Sequence, residues 1–354
     1  MLKVIKKEPL FIIFFIIFLF IFRPNNFSIY IKYINFDVIL TLTSILLITT
    51  SIKSSHFLEY YLEKIIIFAN TKRKFAFLIT IFTIFISMFV TNDISLFITI
   101  PIILSLKEHI KDKLFIAKLI IFQAFGANSG SMLTPIGNPQ NIYLFHHFHQ
   151  SFFHFIKIML FPFFITFFIL MIMIFLSFKN EKIELSVKKI DYNKKLFLSS
   201  ILLLLIFLVF FKINILAITF ITFIATLVIN PKAFKEFDYF LILTFIFMFI
   251  DIKYLINHYN IHITLNSNQK IYLFSIFLSQ IISNVPASIV AAHLFNNFKA
   301  IAWGVNIGGH GIIIGSFANV IALRFFKYKG INILFHKYSI IFLLITALIC
   351  YFLI

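Results

Sequence analysis

Two polar stretches interrupt an otherwise apolar sequence, and their residue types suit the binding of small ions. The first, SMLTPIGNPQNIYLF at 131–145, contains two prolines, a glycine, two asparagines, a glutamine and a threonine. In the second, GGHGIIIGSFANVIALR at 308–324, the segment GSFAN corresponds to GNPQN in the first. Because Pro135 and Pro139 cannot continue a helix and Gly130 and Gly137 permit close backbone approach, the pattern predicts helices that are broken inside the membrane.

A broken helix offers two kinds of ligand. The N-terminal end of a half-helix presents free N–H groups and a positive dipole end to an anion. The carbonyl groups at the C-terminal end of the other half suit a small cation such as sodium. We therefore predict two half-sites, one at each break, that together bind a small ion near the middle of the membrane.

The candidate ligands are side-chain and backbone groups at the breaks and at two polar turns. They are Thr91, Asn92, Asp93, Asn128, Thr134, Gly137, Asn138, Asn141, Ser283, Asn284, Asn306, His310, Gly315, Ser316 and Asn319. Most are neutral amides and hydroxyls, which avoid the cost of burying charge. Such ligands fit oxyanions, carboxylates and sodium alike, so the residues leave the substrate open.

The ionisable candidates each have two interpretations. Asp93, at a hairpin tip, either takes part in coupling or in the ion site, or caps the tip. Asp251 lies near the outer end of an apolar helix, where an interfacial position competes with a coupling role. His310 either titrates during transport or packs as a neutral ring. For His293 we expect a structural role.

The motifs of catalysis and metal binding are missing from the sequence. The run HHFHQSFFH at 146–154 is histidine-rich, but it lacks a carboxylate and predicts no metal site. The sequence has no His-Glu-x-x-His helix, Gly-x-Ser-x-Gly elbow or phosphate-binding loop. We therefore predict that the protein is not an enzyme and uses no cofactor besides a coupling ion, sodium or proton.

The composition requires a membrane environment. Hydrophobic residues make up 61% of the 354-residue chain, charged residues 12%, and mean hydropathy is +1.02. The net charge of +18 is explained by lysines in cytoplasmic loops, and we expect no nucleic-acid partner. The single cysteine, Cys350, excludes disulfides within the chain. The N-terminal apolar run ends without a small-residue cleavage site and predicts a retained first helix.

The apolar segments predict an all-α polytopic protein of about nine spans with an inverted repeat. We expect residues 1–35 to form an N-terminal helix and loop, 36–195 the first repeat and 196–354 the second. Each repeat has a re-entrant hairpin, at 75–106 and 271–297, and a broken helix, at 114–145 and 300–325. Apolar spans are expected near 9–22, 36–51, 152–178, 196–211, 213–230, 238–256 and 338–354, with 54–74 along the interface.

The distribution of basic residues decides how the chain threads. With residues 75–106 as a hairpin that turns at 91–93, 24 basic residues lie on the cytoplasmic side and seven lie outside. A single span over 75–106 would invert every later loop, which the positive-inside rule opposes. The second hairpin then turns at 283–286 and enters from outside. We predict a cytoplasmic N-terminus in the inner (cytoplasmic) membrane.

Four segments resemble the signature segments of the ion transporter superfamily, which includes arsenite permeases, citrate and dicarboxylate carriers, divalent-anion/sodium symporters and one class of sodium/proton antiporter. They are TNDISLFITIPI (91–102), ANSGSMLTPIGNPQNIYLF (127–145), SNVPASIVAAHLF (283–295) and NIGGHGIIIGSFANVIALR (306–324). FDYFLILTFIFMFID (237–251) resembles the helix before the second hairpin. The tip Thr91-Asn92-Asp93 is closest to the arsenite-permease-like branch and lacks the Ser-Asn-Thr associated with dicarboxylates.

The resemblance implies a secondary transporter that holds its substrate between two hairpin tips and two broken helices and works by alternating access. Its expected substrate is a small inorganic oxyanion or carboxylate, coupled to sodium or protons; the alternative is a sodium/proton antiporter. It implies site positions at Asn92, Gly137, Asn141, Asn284, Gly315 and Asn319. Sodium is expected at Asn92, Gly137, Asn284 and Gly315. Lipid and, by resemblance, a second copy of the chain are the expected partners.

Overall fold

The computed structural model describes residues 9–24, 27–106, 112–183 and 190–354, and this part of the chain is helical. The helices of the first half are α1 (Pro9–Ile21), α2 (Phe27–Tyr33), α3 (Phe36–Ser54), α4 (Phe57–Ile66), α5 (Lys72–Ser87), α6 (Asn92–Ser105), α7 (Lys113–Ser131), α8 (Pro139–His147) and α9 (Phe152–Ser177). Those of the second half are α10 (Lys194–Phe210), α11 (Ile215–Ile229), α12 (Ala233–Glu236), α13 (Tyr239–His258), α14 (Asn268–Ile282), α15 (Asn284–Leu294), α16 (Phe298–Gly308), α17 (Phe317–Arg324) and α18 (Ile331–Leu353).

Polar side chains fix where many of these helices begin. Asp112 accepts a hydrogen bond from the backbone N–H of Phe115 at the start of α7, and Ser151 accepts one from His154 at the start of α9. Such caps satisfy N–H groups that have no partner inside the helix. The polar residues between the apolar runs therefore set the helix boundaries.

Each segment predicted to form a hairpin or a broken helix contains two described helices. The first hairpin is formed by α5 and α6, and the first broken helix by α7 and α8. The second hairpin is formed by α14 and α15, and the second broken helix by α16, a short 3₁₀ turn at Ile313–Gly315 and α17. Their inverted orientation in the membrane stays a prediction.

Two boundaries differ from the sequence prediction. The last helix begins at Ile331, seven residues before the predicted start, because the chain turns at Gly330, whose φ of 82° is left-handed, and Lys337 is accommodated inside the helix. The second hairpin turns at Ser283 alone, because Asn284 and Pro286 already belong to the first turn of α15, where a proline is well tolerated.

Five described helices are long and apolar enough to span a membrane: α3, α7, α9, α13 and α18. Shorter apolar helices include α1, α6 and α11. The protein is therefore a multi-pass membrane protein. The lysines at positions 3, 6, 7, 107, 111, 188 and 189, which contribute to the sidedness argument, lie outside the described residues.

The chain packs as two units, neither of which coincides with a predicted repeat. The first comprises Met1–Ser51 and Ser199–Thr264. In it α1 packs against α13, with Phe11 and Phe18 in ring contact with Phe247. Ser44 of α3 donates a hydrogen bond to Thr219 of α11 (3.0 Å). The predicted repeat boundaries at 35 and 195 stay untested.

The second unit, Ile52–Leu198 and Leu265–Ile354, contains both hairpins and both broken helices. Helix α7 lies in its core, with nearly every side chain from Phe115 to Ser131 buried. Glycines on one face let the hairpins approach closely: Gly126 and Gly130 face α5, and Gly304 and Gly308 face α14. All candidate ligands predicted at the breaks and tips therefore belong to one unit.

A charge cluster at the start of the first hairpin ties it to the loop after α9. The Lys72 ammonium lies 2.8 Å from Asp112 and 2.7 Å from Glu181. The hydrogen bond from Lys72 lowers the pKa of Glu181 below its ordinary value. Burial tends to raise the pKa of Asp112, but hydrogen bonds from Lys72 and the Phe115 N–H bring it below its ordinary value.

We expect Lys72→Met to reduce stability in a pH-dependent way. Both carboxyl groups have lower pKa values in the folded state, so their contribution is present above their unfolded pKa values of about 4 and is lost as pH falls through the folded values. The melting temperature should therefore be lower in the variant at pH 7, and the difference should shrink at pH about 3. Lys179→Met, which removes a mostly exposed ammonium 3.7 Å from Glu181, is the control. A pH-independent difference would contradict this account.

Candidate functional site

The first break, between α7 and α8, is closed by one amide side chain. The Asn141 Nδ2 group donates to the carbonyl oxygens of Ser131 (3.2 Å), Met132 (3.1 Å) and Thr134 (2.9 Å). These carbonyls belong to the end of α7 and to the break, where no intrahelical N–H group is left to bond them. Asn138 caps α8 by accepting from the Asn141 backbone N–H (2.9 Å). Asn141 therefore acts as a clamp across the break.

The second break has an equivalent clamp. The Asn319 Nδ2 group donates to the carbonyl oxygens of Gly309 (2.9 Å) and Ile312 (3.4 Å), which follow the end of α16. Asn319 follows Asn306 by thirteen positions, as Asn141 follows Asn128. The two breaks are thus related by a constant offset of 178 residues in sequence.

Each clamp is held in place by the other broken helix. Asn306 Nδ2 donates to Asn141 Oδ1 (2.8 Å), and Asn128 Nδ2 donates to Asn319 Oδ1 (2.9 Å). If each residue is replaced by its counterpart 178 positions away, one of these two hydrogen bonds becomes the other. All four asparagines are buried, so each amide bond forms away from water. We call this set of four residues the cross-repeat amide network.

The residues that start α8 and α17 extend the network with the same symmetry. Asn138 Nδ2 donates to Asn306 Oδ1 (3.1 Å), and Ser316 Oγ donates to Asn128 Oδ1 (2.9 Å). These two residues are also 178 positions apart. The contacts around the two breaks are therefore equivalent under this offset, and the inverted repeat stays a prediction.

The glycines of the breaks are required by close packing. A Cβ atom at Gly137 would collide with the carbonyl oxygen of Ser131 and lie 2.8 Å from its Cα. At Gly315 it would lie 3.0 Å from the carbonyl oxygen of Gly308. These glycines therefore let each break fold back on the end of its preceding half-helix.

The first hairpin tip is less completely bonded than the network. The Asn92 N–H donates to the Gly137 carbonyl (3.0 Å), and Asn92 Nδ2 makes only a long contact with Asn128 Oδ1 (3.4 Å). Thr91 Oγ1 is buried and has no hydrogen-bond partner among the described residues. Asp93 is half-buried, and its N–H donates to Asn92 Oδ1 (3.0 Å).

The second tip is also loosely bonded. Ser283 Oγ lies 3.5 Å from Asn284 Oδ1, and the Asn284 amide lies beside Gly309, where an added Cβ would be 3.0 Å from its Nδ2. Asn128 Nδ2 donates to the Gly309 carbonyl (3.2 Å). Asn92 and Asn284, one from each tip, therefore adjoin the same bonded pair, Asn128 and Gly309.

Backbone strain is concentrated at the second tip. Ser283 has φ 74° and ψ 155°, a combination that glycine adopts readily and other residues do not. Thr91, at the first tip, has an ordinary φ of −59°. Strain at one tip only distinguishes the two otherwise equivalent hairpins.

We expect Ser283→Gly to stabilise the protein by about 1 kcal/mol, because relief of strain exceeds the added entropy of the unfolded chain. Ser283 makes no side-chain cap bond to α15, so the substitution removes no cap. Ser267→Gly, which removes a hydroxyl that caps α14 at Lys270, should give no gain. Denaturant titration of both variants tests this; equal behaviour would show that the Ser283 backbone is unstrained.

His310 is buried and bonded at both ring nitrogens. Its Nε2 lies 3.0 Å from Ser129 Oγ, its Nδ1 lies 3.3 Å from the Ile307 carbonyl, and its ring packs edge-on against Phe342. A carbonyl accepts only, so Nδ1 carries a proton, and in the neutral ring Nε2 accepts from the serine hydroxyl. Both ring nitrogens are therefore satisfied by this packing between the broken helices.

The remaining sequence candidates are placed as follows. Thr134 Oγ1 donates to the Met88 carbonyl (2.6 Å), which ties the first break to the end of α5. His147 bonds Tyr143 and the Ala292 carbonyl. Within the described ranges no three histidine, cysteine or acidic side chains are grouped to hold a metal ion. Asp251 is buried and belongs to the first unit, whereas the candidate ligands at the breaks and tips belong to the second.

Three glutamines that the sequence analysis missed also bond at the hairpins and breaks. Gln280 Nε2 donates to the Gly308 carbonyl (2.8 Å), and its Oε1 accepts from the Ile312 N–H (2.9 Å). Gln123 bridges Thr80 and Thr83 of α5, and Gln140 reaches Asn306 (3.4 Å). Each glutamine lies in or beside an apolar run, and a polar residue in such a run is the sequence feature that could have identified it as a candidate.

Comparison with known proteins agrees with this architecture. A citrate transporter family model matches residues 6–299. An uncharacterized transporter of Methanocaldococcus jannaschii is 39% identical over 300 residues, covering 82% of this chain and 81% of the relative. The inner membrane protein YbiR of Escherichia coli is 32% identical over 327 residues, covering 90% and 87%. The chain therefore belongs to the citrate transporter family and is a membrane transporter.

Proposed function

We propose that the protein is a secondary active transporter that moves a small anion, an inorganic oxyanion or a carboxylate, across the cytoplasmic membrane by alternating access. The observation that carries the proposal is the approach of both hairpin tips to Asn128 and Gly309, next to both broken helices. The N-terminal ends of α6 and α15 lie at these tips, where their N–H groups and dipoles favour an anion.

The hydrogen bonds divide the predicted residues into two groups. The amides of Asn141, Asn306 and Asn319 are each engaged with a backbone carbonyl and with another asparagine, so we assign them to positioning. Thr91 and Asn92 of the first tip, and Ser283 and Asn284 of the second, have absent or long side-chain bonds among the described residues, apart from Asn92 Oδ1, which accepts from the adjacent Asp93 N–H (3.0 Å). We assign these four to substrate and ion binding.

The substrate class rests on the family and on the tip residues. The family is described as a citrate transporter family, which favours a carboxylate. The tip Thr91-Asn92-Asp93 is closer to the arsenite-permease-like branch, which favours an inorganic oxyanion. Sodium or protons would drive uptake, and we place a coupling sodium ion near Asn92, Gly137, Asn284 and Gly315.

We further propose a cytoplasmic N-terminus and a homodimer.

Uptake by the purified protein in liposomes tests the proposal. Labelled citrate, succinate, sulfate, phosphate and arsenite are supplied in turn under an imposed sodium or proton gradient. We expect one anion to accumulate and Asn92→Ala and Asn284→Ala to reduce its uptake at least about tenfold, the effect of about 1.4 kcal/mol. Both variants should unfold near the wild-type temperature. The exposed Asn332→Ala is the matched control.

A sodium/proton antiporter of the same fold is the second candidate, favoured by the half-buried carboxyl group of Asp93 at the first tip. It predicts that an internal pH dye responds to external sodium in the absence of any anion, and that Asp93→Asn stops the response. Anion accumulation without such a response would reject the antiporter. A sodium response without anion uptake would reject the anion transporter.

A further inference from the structure

A carboxyl group that the amide network does not use lies buried in the first unit. Asp251, on α13, has no exposed surface. Neither of its carboxyl oxygens has a hydrogen-bond partner among the described residues. An ionised carboxylate in such surroundings would cost far more than the neutral acid. The environment therefore accommodates the protonated form.

The packing of α13 shows what surrounds this carboxyl group. Phe247, one turn before Asp251, contacts Phe15 and Phe18 of α1. Tyr254, almost one turn after it, contacts Tyr30 of α2. Residues three and four positions apart lie on one face of a helix, so Asp251 lies on the aromatic face that packs against α1 and α2.

The described ionisable side chains near this face form no hydrogen bond with Asp251. The described side chains of α1 include no ionisable group. The Tyr30 hydroxyl donates to the Ile21 carbonyl and accepts from the Arg23 N–H. The exposed Arg23 guanidinium donates to the carbonyls of Phe20 and Phe22. The other ionisable groups of these elements are the exposed Lys32, Tyr239 and His258 and the half-buried Tyr33, Lys253 and Tyr254.

No ion pair to Asp251 is found in the described part of the chain, although Lys253 is only two residues away. Residues two positions apart point to different faces of a helix, which explains why the ammonium does not neutralise the carboxylate. Asp251 is therefore buried on the aromatic face of α13, and the choice between an interfacial position and a coupling role stays open.

We propose that Asp251 is a proton-binding site: its carboxyl group binds one proton in this arrangement and releases it when α13 moves from the aromatic face and admits water. The ligand is the proton itself, taken up by one carboxylate oxygen to give the neutral acid. Asp251 belongs to the first unit, whereas the residues of the proposed anion site belong to the second, so the proposal adds a proton-linked element to the first unit. Only its transport consequence rests on the proposed function.

Infrared spectroscopy of the full chain in liposomes tests the protonation directly. We expect a C=O stretching band of a protonated carboxyl group at neutral pH, present in the wild type, absent in Asp251→Asn and retained in Asp37→Asn, which changes an exposed aspartate. Identical wild-type and Asp251→Asn spectra in this region would show that the carboxyl group is ionised and would overturn the proposal. This readout does not depend on any transport activity.

A second variant separates the loss of the carboxyl group from a loss of folding. Asp251→Leu replaces the carboxyl group with an apolar side chain of similar size, and we expect a melting temperature at or above that of the wild type. A clear loss of stability would show that the carboxyl group has a polar partner and would overturn the proposal. If the anion transport proposed above occurs, Asp251→Asn should remove one titration step from its pH profile, and an unchanged profile would reject proton linkage.

Discussion

Asn141→Ala is expected to reduce the free energy of unfolding by about 3–5 kcal/mol, because it leaves three buried carbonyl groups and the Asn306 amide with fewer partners. Asn319→Ala should cost less, because Asn319 donates to two carbonyls and one of those bonds is long. Cys350, the only cysteine in the sequence, is buried, so labelling by a thiol-reactive dye during denaturant titration measures the unfolding.

The exposed Asn332→Ala serves as the control for Asn141→Ala and should lie within about 0.5 kcal/mol of the wild type. A wild-type stability for Asn141→Ala would show that the amide does not clamp the break. Equal and large losses in Asn141→Ala and Asn319→Ala would instead show that the pairing between the breaks, and not the number of carbonyls bound, sets the stability.

Gly130→Ala is expected to destabilise the protein by about 3 kcal/mol or more and to abolish transport. The added Cβ would collide with the Ile84 carbonyl oxygen and Ser87 Oγ and would lie 2.8 Å from the Ile84 carbonyl carbon. Because two of these atoms belong to the backbone of α5, the hairpin arm would have to move away from α7. Denaturant titration and liposome uptake measure the two effects.

Gly126→Ala, one turn earlier in α7, is the matched control. Its Cβ would lie 3.1 Å from the side-chain atom Cγ2 of Thr80 and 3.5 Å from Cγ1 of Ile84. Alanine is favoured over glycine in a helix by about 1 kcal/mol, which offsets the crowding, so we expect a nearly neutral change. Similar losses in both variants would mean that α5 and α7 tolerate no added methyl group anywhere, and that the approach at Gly130 is not special.

The positions of the hairpins and breaks could be predicted from the sequence because local chemistry determines them. Pro135, Pro139 and Gly137 end one half-helix and start the next, whatever the rest of the chain does. The segment GSFAN at 315–319 corresponds to GNPQN at 137–141, which identified the second break. The start of the last helix was wrong because a lysine near a helix end was treated as a loop residue.

The sequence could not predict which candidate amides bond to backbone carbonyls at the breaks and which make only long contacts at the tips. Asn141 and Asn92 are the same residue type, yet one amide is saturated by backbone carbonyls while the other makes a long contact at a tip. That difference arises from the way the break folds back, which brings the carbonyls of Ser131, Met132 and Thr134 to Asn141, and from Asn306, which is 165 residues away and bonds Asn141 Oδ1. The burial of Asp251 is likewise a property of packing, which its neighbour Lys253 in the sequence concealed.

The pairing of asparagines across the two breaks has a consequence for biosynthesis. Asn128 and Asn141 leave the ribosome 178 residues before Asn306 and Asn319, the residues that complete their bonds. At 5–20 residues per second this interval lasts roughly 10–35 s. During that time the first break is already in the translocon or membrane with part of its polar groups unsatisfied. Until the second half is made, these asparagines of the first half lack the partners that complete the amide network, and translation of Asn306 and Asn319 supplies them.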